Sequence, residues 1–223
     1  QIEDSIREIP RVVPVTTFDE DIVEDLNLTA CPYFSLLDNG LYSSRFEKQR
    51  EENANGYLWT YTCVGPTYPY PTFHLDGSLT GIRMLTYMQY NYDIAGSLYW
   101  NVCFAQRKDN NTDMYDIDVW TDPLTWGMGA CDGRLSYPGT RYGIIGPITT
   151  QRLEELSASF DDYEYFALIE NKLGSRNSTV TQLSNTMHFS EFFSGTQLTL
   201  NSSNPSDFAT YRRNLLNYID SLY

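Results

Sequence analysis

The chain has 223 residues, 41% hydrophobic and 15% aromatic, with 18 tyrosines and a formal charge of −14. That length suits one domain or most of a larger one, and the acidity repels phosphate backbones, so nucleic acid is not an expected partner. No apolar run reaches the length of a membrane span.

Taken in chain order, strands alternate with helices. Arg11–Thr17 (RVVPVTT) is rich in β-formers, and Pro32–Asp38 (PYFSLLD) reads as a short buried strand. Ser44 with Glu47 three residues on makes a capping box, and Gly56 closes the helix it starts. In Tyr57–Cys63 (YLWTYTC), Trp59, Tyr61 and Cys63 fall on one face of a strand, and Leu58, Thr60 and Thr62 on the other. Pro66, Pro69 and Pro71 then exclude both helix and inner strand, because proline lacks the amide hydrogen and locks φ. A helix is expected from Ser78, with Leu79, Ile82 and Tyr87 or Met88 on its apolar side, followed by a strand over 95–105. Gln106–Pro147 is rich in loop signals, including the hairpin-like stretch DGRLSYPG. A long helix follows, its stripe Leu153, Leu156, Phe160, Tyr163 and Ala167, its end Gly174. Within it, Asp161, Asp162 and Glu164 read as a solvated face. After a Ser/Thr/Asn-rich tail, Asn204-Pro205 opens a last helix with Phe208, Tyr211, Leu215, Tyr218 and Leu222 as its stripe.

This βαβα order implies a parallel sheet. Four strand–helix units make half of an eight-unit barrel. The alternative, an open doubly wound sheet, usually carries a Gly-rich phosphate turn, and none follows a strand here. In a βα barrel, function sits at the C-terminal strand ends. That rule selects Tyr61, Trp100, Asn101, Asp132 and Tyr137 as substrate-binding candidates. Aromatic faces with a few polar edges suit sugars, whose C–H faces stack and whose hydroxyls take hydrogen bonds. Each candidate has a plainer reading. Trp59 and Tyr61 can fill a barrel core, Asp132-Gly133 is a common turn dipeptide, and His74 in a loop is ordinarily structural. The two histidines lie far apart and no cysteine pair has ligand spacing, so neither a metal nor a cofactor is expected. No nucleophile elbow is present. Asp19-Glu20 reads as the acidic first turn of a helix. Sequons at Asn27, Asn110, Asn177 and Asn201, with an even number of cysteines, lean toward a secreted, extracellular or lumenal glycoprotein, although sequons also arise by chance.

Four stretches in fixed order carry a resemblance: the strand running into Cys63-Val64-Gly65-Pro66, the Leu98-Tyr99-Trp100 strand, Asp132-Gly-x-Leu-x-Tyr137-Pro-Gly, and Arg152-Leu-Glu followed by Asp162-Tyr-Glu-Tyr. Together they resemble the C-terminal half of the glycoside hydrolase family 123 catalytic domain, from about Arg11 to Leu173. The resemblance implies a (β/α)8 barrel whose C-terminal half is residues 1–174, with 175–223 as a helical extension packed on it. It implies N-acetyl-β-hexosaminidase chemistry, N-acetylgalactosaminides favoured, by a retaining, substrate-assisted route. There the substrate's acetamido oxygen attacks the anomeric carbon, an Asp holds the amide and a neighbouring Glu is the acid/base. That pair belongs to an earlier strand, and Asp19-Glu20 does not match its context, so no catalytic residue is assigned in this chain. The expected partner is the N-terminal half of the barrel, as a separate chain or a preceding segment. The alternative is a non-catalytic glycoprotein that uses the same barrel for structure or carbohydrate binding. Cys131 stands where the family pattern carries Gly. Barrel placement puts Cys63, Cys103 and Cys131 at one end and Cys31 at the other, about 17 Å away, so Cys103–Cys131 is the expected disulfide, with Cys63–Cys103 second.

Overall fold

A computed structural model describes residues 12–15, 29–37, 46–48, 50–51, 57–67, 70–108, 114–126, 129–176 and 205–223. Strands β1 (Val12–Val15) and β2 (Thr29–Pro32) pair in parallel, as do β3 (Trp59–Thr62) and β4 (Gly96–Tyr99). β2 runs beside β3. Three antiparallel ribbons follow: β5 (Gln106–Lys108) with β6 (Met114–Asp116), β7 (Leu124–Trp126) with β8 (Gly129–Ala130), and β9 (Ser136–Pro138) with β10 (Pro147–Thr149). The stretch expected to be loop-rich is thus organised by short ribbons.

Alternation in β3 holds, and the structure shows which face goes inside. Thr60 and Thr62 are fully buried, while Trp59 and Tyr61 are half-buried. Trp59 lies flat over Gly96, its register partner on β4. A Cβ there would come within 2.5 Å of the indole Cε2.

The stretch expected to be one strand over 32–38 divides differently. β2 ends at Pro32, and Phe34–Leu37 forms a single helical turn, α1, with Phe34 and Leu37 buried. A short apolar run fits a buried strand or a helical turn equally well by periodicity. Here the Tyr33 carbonyl accepts from the Leu36 N–H at 3.0 Å, and Phe34 and Leu37 share one face. Cys31 therefore lies within β2 near its C-terminal end, not at the opposite face.

Helix α2 (Leu79–Asn91) buries every residue from Met84 to Tyr90, more than one apolar side, because it lies in the core shared with Phe34, Leu58, Phe166 and Leu215. Helix α3 (Gln151–Leu173) starts at Thr150, whose hydroxyl accepts from the Leu153 N–H, and stops at Gly174 with φ 74°. Its expected stripe is rotated. Phe160 is 45% exposed, and the buried line is Arg152, Ser159, Asp162, Phe166 and Ile169. Hydropathy misplaces it because three of those five are polar and take partners inside. The Ser159 hydroxyl donates to the Leu156 carbonyl at 3.0 Å, its own carbonyl accepts from Thr86 Oγ1 at 2.7 Å, and Asp162 meets Arg83 at 2.8 Å and the Tyr87 hydroxyl at 2.6 Å. Asp162 is thus buried, contrary to the solvated reading. Helix α4 (Pro205–Ser221) packs on α3 through Phe208, Tyr211, Leu215 and Ile219. Residues 46–48 and 50–51 are helical. The four sequons and Asp19-Glu20 lie outside the described residues.

Candidate active site

Strands β2, β3 and β4 end on one side, and aromatic residues gather at or next to those ends. Tyr33 follows β2, Tyr61 closes β3 with Thr62, and Tyr99 and Trp100 finish β4. The rings of Tyr33 and Tyr61 stack at 5.6 Å with 7° between their planes, and the Tyr33 hydroxyl meets the Cys63 sulfur at 2.8 Å. All four aromatic residues are half-buried, which leaves ring surface toward solvent.

The loop across these ends comes from a distant part of the chain. Asp132 is 1% exposed. Its Oδ1 accepts from the Tyr99 hydroxyl at 3.1 Å and its Oδ2 from the Trp100 indole N–H at 3.1 Å. The Gly133 N–H donates to the same Tyr99 oxygen. Gly133 has φ 75°, and a Cβ on it would sit 2.5 Å from Trp100 Cζ2. Two independent constraints, a left-handed backbone and an indole in contact, therefore require glycine there. Cys131 also adopts positive φ, 57°. A residue without a Cβ reaches that conformation at no steric cost.

A buried arginine holds the turn. Arg152, in the first turn of α3, donates to the carbonyls of Phe73, of Cys131 at 3.3 Å and of Arg134 at 2.5 Å. Arg134 is itself wholly buried and donates to the carbonyls of Phe104 and Asp122 at 2.8 and 2.9 Å. The proline loop closes another side. The Leu75 N–H donates to the Ala130 carbonyl at 2.8 Å, the Phe73 ring meets Tyr99 edge-on at 4.8 Å, and Gly65 passes over the Tyr33 ring. His74 is buried with Nε2 3.2 Å from the Cys63 carbonyl.

The electrostatics follow from this packing. Burial, then Cys63 and the charge of Asp132, pushes the Tyr61 phenol up to about 12. Burial first and the same neighbours raise Tyr33, and burial with Asp132 raises Tyr99. The phenols therefore stay protonated and serve as donors at neutral pH.

Of the five residues selected from sequence, the structure gathers Tyr61, Trp100 and Asp132 around one another. Asn101 points elsewhere, its Oδ1 accepting from the Cys103 N–H at 2.8 Å. Tyr137 is buried against Trp120, with its hydroxyl 3.5 Å from Arg152 and 3.9 Å from the Cys131 sulfur. Tyr99 and Tyr33 are additions. Tyr99 carried a signal, since it adjoins Trp100 at a strand end. Tyr33 carried none while its stretch read as strand.

The expected Cys103–Cys131 disulfide is absent, and all four cysteines are free. Cys103 sits opposite Arg134 in an antiparallel bridge, three residues past Cys131. The left-handed turn directs the Cys131 sulfur toward Tyr137 instead. Burial alone pushes the Cys31 thiol up to about 12. Among the described residues no cluster of His, Cys, Asp or Glu is arranged to hold a metal, and no helix is long and apolar enough to cross a membrane.

An aromatic cluster with one buried carboxylate, set at the C-terminal ends of strands in βα order, is the layout of a βα-type domain. The family model of the glycoside hydrolase 123 catalytic domain matches residues 4–169, and the chain belongs to that family. Among solved structures it is similar to a family 123 glycoside hydrolase from Clostridium perfringens, studied for glycolipid glycan hydrolysis, with a TM-score of 0.56 and 14% identity. The match covers 99% of this chain and 38% of that one, so this chain spans well under half the length of its structural neighbour. At that identity the likeness speaks to the fold. No curated protein matches the chain.

Proposed function

We propose that this chain forms part of the substrate-binding wall of a glycoside hydrolase acting on N-acetyl-β-hexosaminides, N-acetylgalactosaminides first. In this reading residues 1–174 are the C-terminal half of a (β/α)8 barrel and 175–223 an extension on it. The observation that carries it is the buried Asp132, oriented by Tyr99 and Trp100 beside the stacked Tyr33–Tyr61 pair. Flat aromatic faces take the apolar side of a sugar ring, and a fixed carboxylate accepts from its hydroxyl or amide N–H groups. Asp132 positions substrate. The acetamido oxygen of the sugar attacks the anomeric carbon, and the bond to the leaving oxygen breaks as an acid protonates that oxygen. Water then opens the cyclic intermediate with retention. The Asp that holds the amide and the Glu that moves the proton come from the other half of the barrel. The sequons support a secreted or lumenal setting.

One observation favours a second reading for the chain by itself, a carbohydrate-binding protein without catalysis. A glycosidase commonly uses two carboxylates, and among the described residues Asp132 is the carboxylate bonded to the aromatic cluster.

Calorimetric titration of the chain with N-acetylgalactosamine tests the site. Tyr61→Ala and Asp132→Asn should each weaken binding by about 1–3 kcal/mol, and galactose, lacking the acetamido group, should bind less well. Unchanged affinity in both variants, with the fold intact, sinks the proposal. Hydrolysis of an aryl N-acetyl-β-galactosaminide by this chain alone, abolished in Asp132→Asn, would overturn the division of roles.

A further inference from the structure

Beside the strand end that carries Trp100, a cavity of about 490 Å3 opens between Asn101, Phe104, Gln106, Pro138, Thr140 and Arg141. Its size suits a small ligand. It adjoins the Asp132 cluster without belonging to it, because the Phe104 ring that lines it packs against Trp100 at 5.0 Å. Its charge is distinctive. In a chain of net charge −14, no carboxylate among the described residues lines this cavity, and its charged lining side chain among them is Arg141. Arg141 is exposed and makes no ion pair among the described residues. The Asp118 carboxylate, whose charge Arg141 feels, is already held by the Tyr142 hydroxyl at 2.8 Å and the Trp120 N–H at 3.1 Å. Asn101 is fixed through its oxygen by the Cys103 N–H, which leaves its amide nitrogen as a donor.

We propose that this cavity is a second sugar site that takes an anionic sugar unit, with the carboxylate or sulfate on the Arg141 guanidinium. A planar fork of donors matches either anion. Hydroxyls of the same unit meet Asn101, Gln106 and Thr140, and its apolar face lies on Phe104 and Pro138. Its place as the next unit of a glycan held at Asp132 rests on the function proposed above, whereas the preference for an anion does not.

Titration of the full chain with glucuronic acid, galactose 6-sulfate, glucose and N-acetylgalactosamine, followed by heteronuclear NMR, decides it. At least one of the two anionic sugars should bind tenfold or more tightly than glucose, and added salt should weaken that binding. The tighter of the two identifies the anion as carboxylate or sulfate. Arg141→Gln should abolish the tenfold preference, and Arg141→Lys should retain part of it, since charge persists without the fork. Both variants lie on an exposed turn and should leave N-acetylgalactosamine binding unchanged. Equal binding of glucose and both anionic sugars, or an anion preference that survives Arg141→Gln, overturns the proposal. An Arg141-dependent anion preference in a chain that does not bind N-acetylgalactosamine sustains this site and removes the Asp132 reading instead.

Discussion

Asp132 reaches its two donors because the residue after it has no side chain. Gly133 and Gly143 share a left-handed backbone, φ 75° and 71°, but their surroundings differ. A Cβ at Gly133 would strike the Trp100 indole at 2.5 Å, and one at Gly143 would meet nothing within 4 Å. Gly143→Ala should therefore cost only the left-handed penalty, about 1–2 kcal/mol. Gly133→Ala should cost about 1–3 kcal/mol more, from overpacking against a rigid ring. Urea denaturation of the two variants separates strain from contact. Equal losses would mean that Trp100 yields and does not hold Asp132 in place. The same turn explains the missing disulfide, since backbone conformation at Cys131 aims its sulfur at Tyr137 and away from Cys103.

Helices α2, α3 and α4 meet at a charge. Asp162 on α3 is wholly buried between Arg83 and Tyr87 of α2 and Arg212 of α4, with Arg212 Nε at 3.3 Å. Its neighbour Asp161 is 62% exposed and faces Arg212 at 3.4 Å. Adjacent carboxylates on one helix thus sit in opposite regimes. Removing one partner from a buried pair leaves uncompensated charge, so Asp162→Ala should destabilise the chain by about 3–5 kcal/mol. Asp161→Ala should cost about 0–1 kcal/mol, because water screens an exposed pair. Thermal or urea unfolding of the two variants measures the contrast, and similar losses would remove Asp162 from its role as the joint between these helices. Around that joint, Tyr87 packs edge-on against Phe166, Phe208 and Tyr211 at 5.2 to 5.9 Å, so apolar contact and the ionic node hold the same three elements.

At the scale of the molecule, the tyrosines set how the fold meets alkali. The sequence holds 18. Burial first raises Tyr33, Tyr61, Tyr87, Tyr90, Tyr99 and Tyr211 above the ordinary phenol value of 10, Tyr61 to about 12. Between pH 10 and 12 the unfolded chain has released these protons and the folded chain keeps them, so stability falls as pH rises. It is fully present below pH 10. Urea midpoints should thus hold steady from pH 8 to 9.5 and drop steadily from pH 10 to 11.5. A flat profile across the second interval would contradict the burial of the phenols. The effect spans both the candidate site and the helical core, because tyrosines with raised values occur in each.

Local signals carried much of the element pattern. Alternation in Tyr57–Cys63, Gly174 closing the long helix, and Pro205 opening the last one are each properties of a few consecutive residues, and each element stands where those residues put it. The order of four motifs carried the family. Tertiary structure alone decided which face of α3 turns inward, because partners on α2 and in the Cys131–Tyr137 stretch make a line of polar residues the buried one. It decided that Tyr33 joins the site, since that depends on a helical turn which an apolar run does not distinguish from a strand. It also separated Trp100 from Asn101. Neighbours in sequence, they turn to different surroundings, one to a carboxylate 32 residues away and the other to a backbone two residues on. Backbone preference is local and readable in sequence, whereas the direction and burial of a side chain depend on what the rest of the fold brings against it.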